Sequence, residues 1–487
     1  MTTRKFFPGG ESAIMKNIAR AAGIGCAVAL LAAGAVHAQV DRSKQPPVAP
    51  APAASFPSYD EFTLKNGLQV FLVKDSRPLV TFRMVVRGGQ SADGNVPMLG
   101  EAMADLMTHG TKKWTPEKFA DEIDFIGGSI DVATSDDFFD LVASGLKSQA
   151  DRVLELFADA VKNPTYPAEE VEKYKMEQIT GLRALMAQPG FLASQGVARV
   201  LFGDTPYGRM PTDKSLSTLT PEMLRKHHDT YFVPGNAIMV VVGDYSVNDI
   251  RAKLESNFGD WAQRAVPTFS TPSFPRRSSG MRIVVIDRPA SVQSNIRVIA
   301  GGPLFNDPIR PKTTILANIL GGGSTGRLYM NLRETHSYTY GSYGSFDANL
   351  HAGRFVAVAD VRNAVTDSAL AQILHEIERI RKEDVNRAEL ERTVQSTEGT
   401  FLLSVADPSI TAQRVLFIRQ YGLPKDYYNT LLGTYRSVTQ KDLKDLANRY
   451  LAPENLSVVI VGKASEIKPK LERFGTVEVW TPEQLGG

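Results

Sequence analysis

The chain contains a version of itself, and no other feature constrains its fold as strongly. Tyr231-Phe-Val-Pro-Gly-Asn-Ala-Ile-Met-Val-Val-Val-Gly243 reads like Tyr450-Leu-Ala-Pro-Glu-Asn-Leu-Ser-Val-Val-Ile-Val-Gly462, at an offset of 219 residues. Val85-Val-Arg-Gly-Gly89 matches Val298-Ile-Ala-Gly-Gly302 at an offset of 213. Two nearly constant offsets in the same order identify two homologous halves. The plan that follows is a leader over residues 1–38, a Pro/Ala-rich tether over 39–57, an N-terminal half over 58–264, a linker over 265–280 and a C-terminal half over 281–487. With 487 residues, more than one core is required in any case.

Each half alternates strand and helix signals. Leu68–Val73 and Leu79–Val86 are apolar, β-rich runs. Leu99, Ala102, Met103, Leu106 and Met107 follow helical spacing, as do Val153, Leu156, Phe157, Ala160 and Val161. Thr115-Pro116 offers a capping hydroxyl followed by proline in a first helical turn. The expected class is α+β, with each half a mixed β-sheet packed with helices.

The N-terminus reads as an export signal. Lys16 and Arg20 precede an apolar stretch from Gly23 to Val36, and Val36-His37-Ala38 forms a small-x-small cleavage site before Gln39. The stretch is short of the roughly 20 residues a membrane span requires. Met15 is an alternative start. Cys26, the single cysteine, falls inside this leader, so the mature chain is expected to have no disulfide, no thiolate nucleophile and no cysteine-held metal. Removing residues 1–38 leaves 51 bases and 52 acids, a balance that points to neither nucleic acid nor an anionic membrane as partner.

Several stretches in the same order resemble the insulinase, pitrilysin and mitochondrial processing peptidase family. They are Gly110-Thr111 through Ser135, Pro206-Tyr207-Gly208-Arg209, and Leu320-Gly-Gly-Gly-Ser-Thr-Gly-Arg-Leu-Tyr-Met-Asn-Leu-Arg333 followed by Tyr338-Thr-Tyr340. The resemblance covers nearly the whole mature chain and implies a processing-peptidase-like, LuxS/metallohydrolase-like fold. It also implies a helix carrying His-x-x-Glu-His, in which two histidines bind zinc and the glutamate activates water. Counted from Gly110-Thr111, that motif falls on residues 101–105, where this chain has Glu101-Ala102-Met103-Ala104-Asp105. Both histidines are replaced, and the base is Ala104. The family's more distant glutamate ligand is expected near residues 180–182, which read Thr180-Gly181-Leu182, with Glu177 the nearest carboxylate.

Glu101 and Asp105 share a helix face, but two lone carboxylates suit zinc poorly, and a lightly paired acidic face is the plainer expectation. His227 and His228 are adjacent, so their side chains diverge by about 100° on a helix. His375 has no second histidine at i+4, and His109, His336 and His351 are isolated. All are expected at the surface or at helix ends.

The resemblance further implies that Arg333 and Tyr340 reach toward a zinc-bound substrate. A guanidinium fork can hold substrate carbonyls, and a phenol can stabilise an oxyanion. As residues in isolation, they could equally be a helix-surface arginine and a core tyrosine. Gly321, Gly322 and Gly323 can form a mobile loop that admits a substrate backbone or a plain connection, but not a phosphate loop.

Three functions remain open at this level. The chain can be the zinc-free subunit of an exported heterodimeric metallopeptidase, binding no cofactor itself while a homologous partner carries the zinc. It can be a catalytically inactive structural or peptide-binding derivative. A self-sufficient zinc peptidase would need ligands this sequence does not offer.

Overall fold

Runs of consecutive apolar residues, rather than alternating ones, build the middle of two six-stranded sheets. The computed structural model describes residues 58–266, 268, 281–404 and 408–486; the leader with Cys26, the tether and nearly all of the linker lie outside the described residues. The first sheet comprises β1 (Asp60–Thr63), β2 (Gln69–Lys74), β3 (Leu79–Arg87), β4 (Ser129–Thr134), β5 (Phe138–Leu146) and β6 (Ala237–Gly243), in the order β1-β2-β6-β3-β5-β4. The second comprises β7 (Met281–Asp287), β8 (Gln293–Gly301), β9 (Ser342–Ala348), β10 (Gly353–Arg362), β11 (Ser457–Gly462) and β12 (Gly475–Trp480), in the order β12-β7-β11-β8-β10-β9. Both sheets are mixed: β2 runs parallel to β6, and β7 parallel to β11, while the remaining inner pairs are antiparallel.

The two sheets differ at one edge. β1 precedes β2 and pairs antiparallel to it, whereas β12 comes from the C-terminus and pairs parallel to β7. The internal repeat therefore governs five strands of each sheet, and the sixth differs: β1 precedes the repeated strands in the first sheet and β12 follows them in the second.

Helices cover both faces of each sheet. Those of the N-terminal half include Leu99–Asp105, Ala150–Lys162, Ala168–Met186, Pro189–Phe202 and Pro221–Tyr231. Their counterparts in the C-terminal half are Arg310–Gly321, Thr366–Lys382, Arg387–Ser404, Pro408–Gln420 and Gln440–Tyr450. Local chemistry starts several of them as the sequence leads one to expect. Thr115 accepts a hydrogen bond from the Lys118 amide at the start of Pro116–Ile126, and Thr439 closes a capping box with Asp442.

One helix of each half crosses to the other. In Pro189–Phe202, Leu192, Ala193 and Val197 pack on Ile286, Ile299, Val459 and Val461 of the second sheet. In Pro408–Gln420, Ala412, Val415 and Leu416 pack on Phe71, Val73, Val85, Val240 and Val242 of the first. The opposite faces of the same strands, through Val70, Leu72, Met239 and Val241 in the first half and Ile283, Val458 and Ile460 in the second, face each half's own core. A strand buried on both faces has no solvent side to mark with polar residues, hence Ile-Met-Val-Val-Val in β6 and Val-Val-Ile-Val in β11. Gly196 permits the close approach: a Cβ there would lie 2.7 Å from Ile286 Cδ1 and 2.8 Å from Val459 Cγ1.

The halves also meet hairpin to hairpin. Between β4 and β5, Asp136 accepts a hydrogen bond from Asn349 Nδ2, and Asp137 accepts one from the Leu350 amide at 2.6 Å. Each of these pairs is separated by 213 residues, the repeat offset itself, so equivalent turns of the two halves clasp one another.

Leu416 is 1% exposed at the crossed contact. Leu416→Ala should lower unfolding stability by about 2–5 kcal/mol, read as a reduced midpoint in chemical denaturation. An unchanged midpoint would show that this contact does not hold the halves together.

Candidate functional site

The helix that carries the altered motif is short, running from Leu99 to Asp105 and tightening into a 3-10 turn over Leu106–Thr108. It begins after a left-handed Met98 (φ 66°), and its first amides are held by Asp93: Oδ2 accepts from Met98 N at 2.9 Å and Oδ1 from Gly100 N at 2.7 Å. Ala102, Met103 and Ala104 point into the core, so at the position of the family's general base there is a buried methyl group. Glu101 instead faces an open depression of about 310 Å³, whose other walls include Asp93, Gln178, Gln195, Arg209 and Asp136.

Helix Ala168–Met186 forms one side of this depression. Its inward stripe is Val171, Tyr174, Gln178 and Leu182, at helical spacing. Glu177, the expected nearest carboxylate, lies on the exposed side, and Gln178 takes the inward position. Leu182, within the stretch 180–182 reached by counting from the motif, lies on this inward stripe one turn beyond Gln178. Tyr174 is buried beside Asp105, Glu101 and Asp93, and burial followed by their negative charge pushes its phenol well above the ordinary range.

The carboxyl groups of the cluster are all pushed upward. Burial raises Asp93 to about 8, outweighing its two amide hydrogen bonds, and Glu101 adds repulsion. Glu101 is raised by burial and by Asp105. Asp105 is raised by burial, against the opposing pull of His109. Asp93 therefore keeps its proton to higher pH than an exposed carboxyl does, and its two neighbours shift in the same direction. Glu101 and Asp105 supply oxygens only, and among the described residues no group of three or more His, Cys, Asp or Glu could hold a metal ion.

Two histidines are placed differently from expectation, whereas His109 and His336 stand at helix ends and His375 is exposed. His227 and His228 do diverge, but both are buried, at 7% and 5% exposure, rather than at the surface. His228 Nε2 lies 2.9 Å from the Val161 carbonyl, with its ring stacked on Phe232. His227 packs edge-on to Phe139 and is pushed down to about 4 by burial and by His228. His109 Nδ1 meets Glu170 Oε2 at 2.7 Å. The helix Pro221–Tyr231 uses both imidazoles as core aromatics, which polar spacing alone did not reveal.

Arg333 and Tyr340 are brought together in the second half, in a different depression of about 640 Å³. Arg333 belongs to a π-helical segment, Met330–Thr335; such bulges recur at functional positions. Arg333 Nη1 donates to the Tyr340 carbonyl at 2.7 Å, and its guanidinium lies 5.6 Å from the Tyr340 ring and 5.7 Å from the Tyr329 ring. Glu334 Oε1 is 3.5 Å from Nε. The Tyr340 side chain is 88% exposed, so it is not a core tyrosine. A turn over Thr339–Gly341, closed by Thr339 Oγ1, sets it just ahead of β9. Gln293 and Arg362 line the same depression and were not anticipated from sequence.

The three glycines do not join this pair. Gly321 ends helix Arg310–Gly321 against β9, where a Cβ would lie 2.1 Å from Gly344 N. Gly321 is thus a packing glycine. Gly322 faces another cavity, and Gly323 supplies a positive φ of 116°. In Pro206-Tyr207-Gly208-Arg209, Tyr207 donates to Asp137 and Arg209 to the Gly94 carbonyl, so this motif ties the hairpin clasp to the Glu101 depression.

Comparison with known proteins agrees with this layout. Residues 70–208 match Insulinase (Peptidase family M16), and residues 218–397 match the Peptidase M16 inactive domain. An uncharacterized zinc protease of Rickettsia bellii is 24% identical over 74% of this chain and 87% of its own length. One from Streptomyces coelicolor is 22% identical over 82% of this chain and 88% of its own. The crystal structure of a peptidase M16 inactive domain from Pseudomonas fluorescens superposes with a TM-score of 0.77 at 23% identity, covering 83% of this chain and 98% of that one. A Helicobacter pylori protease superposes at 0.75 with 18% identity, covering 84% and 100%.

The Asp93 shift has a testable sign. A carboxyl whose folded value is raised binds a proton more tightly folded than unfolded, so its stabilisation is lost as pH rises toward the folded value. Between about pH 7.5 and 8.5, His227 is largely neutral whether folded or unfolded, while Asp93 still binds its proton more tightly in the folded state. Stability should fall across this window with a slope of up to about 1.4 kcal/mol per pH unit. Denaturation of Asp93→Asn should show a flatter profile; an identical slope would assign the pH dependence elsewhere.

Proposed function

Because the chain belongs to the insulinase family of peptidases, family M16, and carries Glu-Ala-Met-Ala-Asp where that family's zinc motif would be, we propose that it is a non-catalytic subunit that completes the site of a homologous zinc-bearing partner. The observation that carries this reading is the exposed Arg333–Tyr340 pair. A phenol with nothing over it, steadied through its backbone by a guanidinium, is arranged to meet something outside this chain. The match of residues 218–397 to an inactive M16 domain supports the same reading.

The roles follow from the chemistry of the two groups. Tyr340 Oη donates a hydrogen bond to the oxygen that gains negative charge when a peptide carbonyl is attacked in the partner's site. Arg333 has donors left over after its bond to the Tyr340 carbonyl and uses them on substrate carbonyls. The partner contributes the zinc and the base. Export through the leader places this chemistry outside the cytoplasm.

The isolated chain tests two parts of the proposal together. Native mass spectrometry of material from the extracytoplasmic fraction should give a polypeptide beginning near Gln39 and free of zinc. An uncleaved cytoplasmic chain, or one tightly held zinc per chain, would overturn the corresponding part.

The shared site is tested in the reconstituted pair with an unfolded peptide substrate. Tyr340→Phe should reduce turnover by about 10²–10³ while the Michaelis constant moves much less. Arg333→Ala should impair both constants. Melting curves should be unchanged for both variants, since neither side chain belongs to a core. Full activity of both variants in an assembled complex would remove the pair from the site.

A further inference from the structure

The C-terminal half holds a cavity of about 580 Å³ in the place where the N-terminal half has the Glu101 depression. Its walls are helix Arg310–Gly321, the counterpart of the altered motif helix, and helix Arg387–Ser404, the counterpart of Ala168–Met186. At the repeat offset of 213, Thr314 and Asn318 stand where Glu101 and Asp105 stand; at 219, Thr393 and Thr397 stand where Tyr174 and Gln178 stand. The acidic lining of the first half is therefore replaced by hydroxyls and an amide, and Asn318 Nδ2 donates to Thr397 Oγ1 at 2.9 Å.

The charge of the lining is positive. Arg414 reaches in from the crossed helix Pro408–Gln420. Its guanidinium lies 4.4 Å from the Phe401 ring and 5.3 Å from the Tyr428 ring, and Nη2 donates to Ser404 Oγ. Nη1 is buried and has no hydrogen-bond partner. The titratable groups that face Arg414 are the phenols of Tyr428 and Tyr435, and no carboxylate among the described residues pairs with it. Arg392, on the rim, forms no ion pair among the described residues either. The one acid of the lining among the described residues, Glu389, is already held by Arg327 through two hydrogen bonds of 2.9 and 2.8 Å.

A buried guanidinium donor left unpaired is costly, and two uncompensated cations in one cavity lower that cost most by taking an oxyanion. The threonine hydroxyls suit the same ligand. Thr393 and Thr397 donate to helix carbonyls four residues back, and hydroxyls can rotate toward a stronger acceptor. We propose that this cavity binds an oxyanion anchored by Arg414, either the carboxylate of an acidic peptide or an inorganic phosphate, which share the chemistry being recognised. The site requires neither a partner chain nor catalysis, so it stands or falls apart from the function proposed above.

The test is fluorescence anisotropy on the mature chain with a fluorescein-labelled hexaglutamate peptide, its hexaglutamine analogue, and inorganic phosphate as competitor. Hexaglutamate should bind saturably, and hexaglutamine at least about tenfold more weakly. Arg414→Gln should weaken hexaglutamate, or phosphate in a direct titration, at least about tenfold. Ser396→Glu, on the exposed side of the wall, should do the same without touching a core. Lys382→Ala, which removes an exposed cation outside the cavity, should leave binding intact. Displacement by phosphate at lower concentration than peptide would identify a free oxyanion as the source; resistance to phosphate, with loss in Arg414→Gln, would identify the peptide carboxylate. Binding of neither probe at millimolar concentration, or undiminished binding in both cavity variants with native melting curves, would overturn the proposal.

Discussion

Everything in this molecule depends on the exchange of one helix between its halves. Each sheet has two apolar faces and covers one with its own helices. The other face is covered by Pro189–Phe202 or Pro408–Gln420, arriving from the opposite half. Neither half can bury its central strands alone, and an apolar sheet face left in water would forfeit roughly 25 cal/mol for every Å² uncovered. The Asp136–Asn349 and Asp137–Leu350 contacts then fix the rotation of one half against the other, because each joins a turn to its own repeat equivalent.

This framework explains how two nearly identical folds come to present opposite chemistries. The same structural position, a helix after a long strand facing a second long helix, became an acidic cluster in one half and a cationic, hydroxyl-lined cavity in the other. A backbone secured by long-range packing tolerates either lining, although Tyr174 in the first half also belongs to the core. It also tolerates the loss of a metal motif: Ala102, Met103 and Ala104 still fill the interior, and Asp93 still holds the start of the helix.

The exposed Arg333–Tyr340 pair is a different kind of feature. No core residue requires Tyr340, and its ring gives up most of the burial that an aromatic side chain normally gains. The π-helical turn and the Thr339–Gly341 turn hold it in place by backbone geometry. That arrangement makes sense for a group whose contacts lie beyond its own chain.

Much of this was legible in the sequence, for local or repetitive reasons. The two offsets revealed the halves, because duplicated structure preserves spacing. Apolar, β-rich runs located β2 and β3, helical periodicity located the helices around Leu99 and Val153, and Thr115-Pro116 marked a helix start. The loss of both histidines and of the glutamate was plain from residues 101–105. What remained was decided by contacts between residues distant in sequence, on which spacing is silent. Only the tertiary structure put Gln178 rather than Glu177 on the inner face of its helix, buried His227 and His228 among aromatic rings, and committed Gly321 to packing on β9. It alone left Tyr340 in the open and Arg414 with a donor unpaired. Local pattern determines which elements form; which face each element turns to its neighbours depends on what the rest of the chain brings against it.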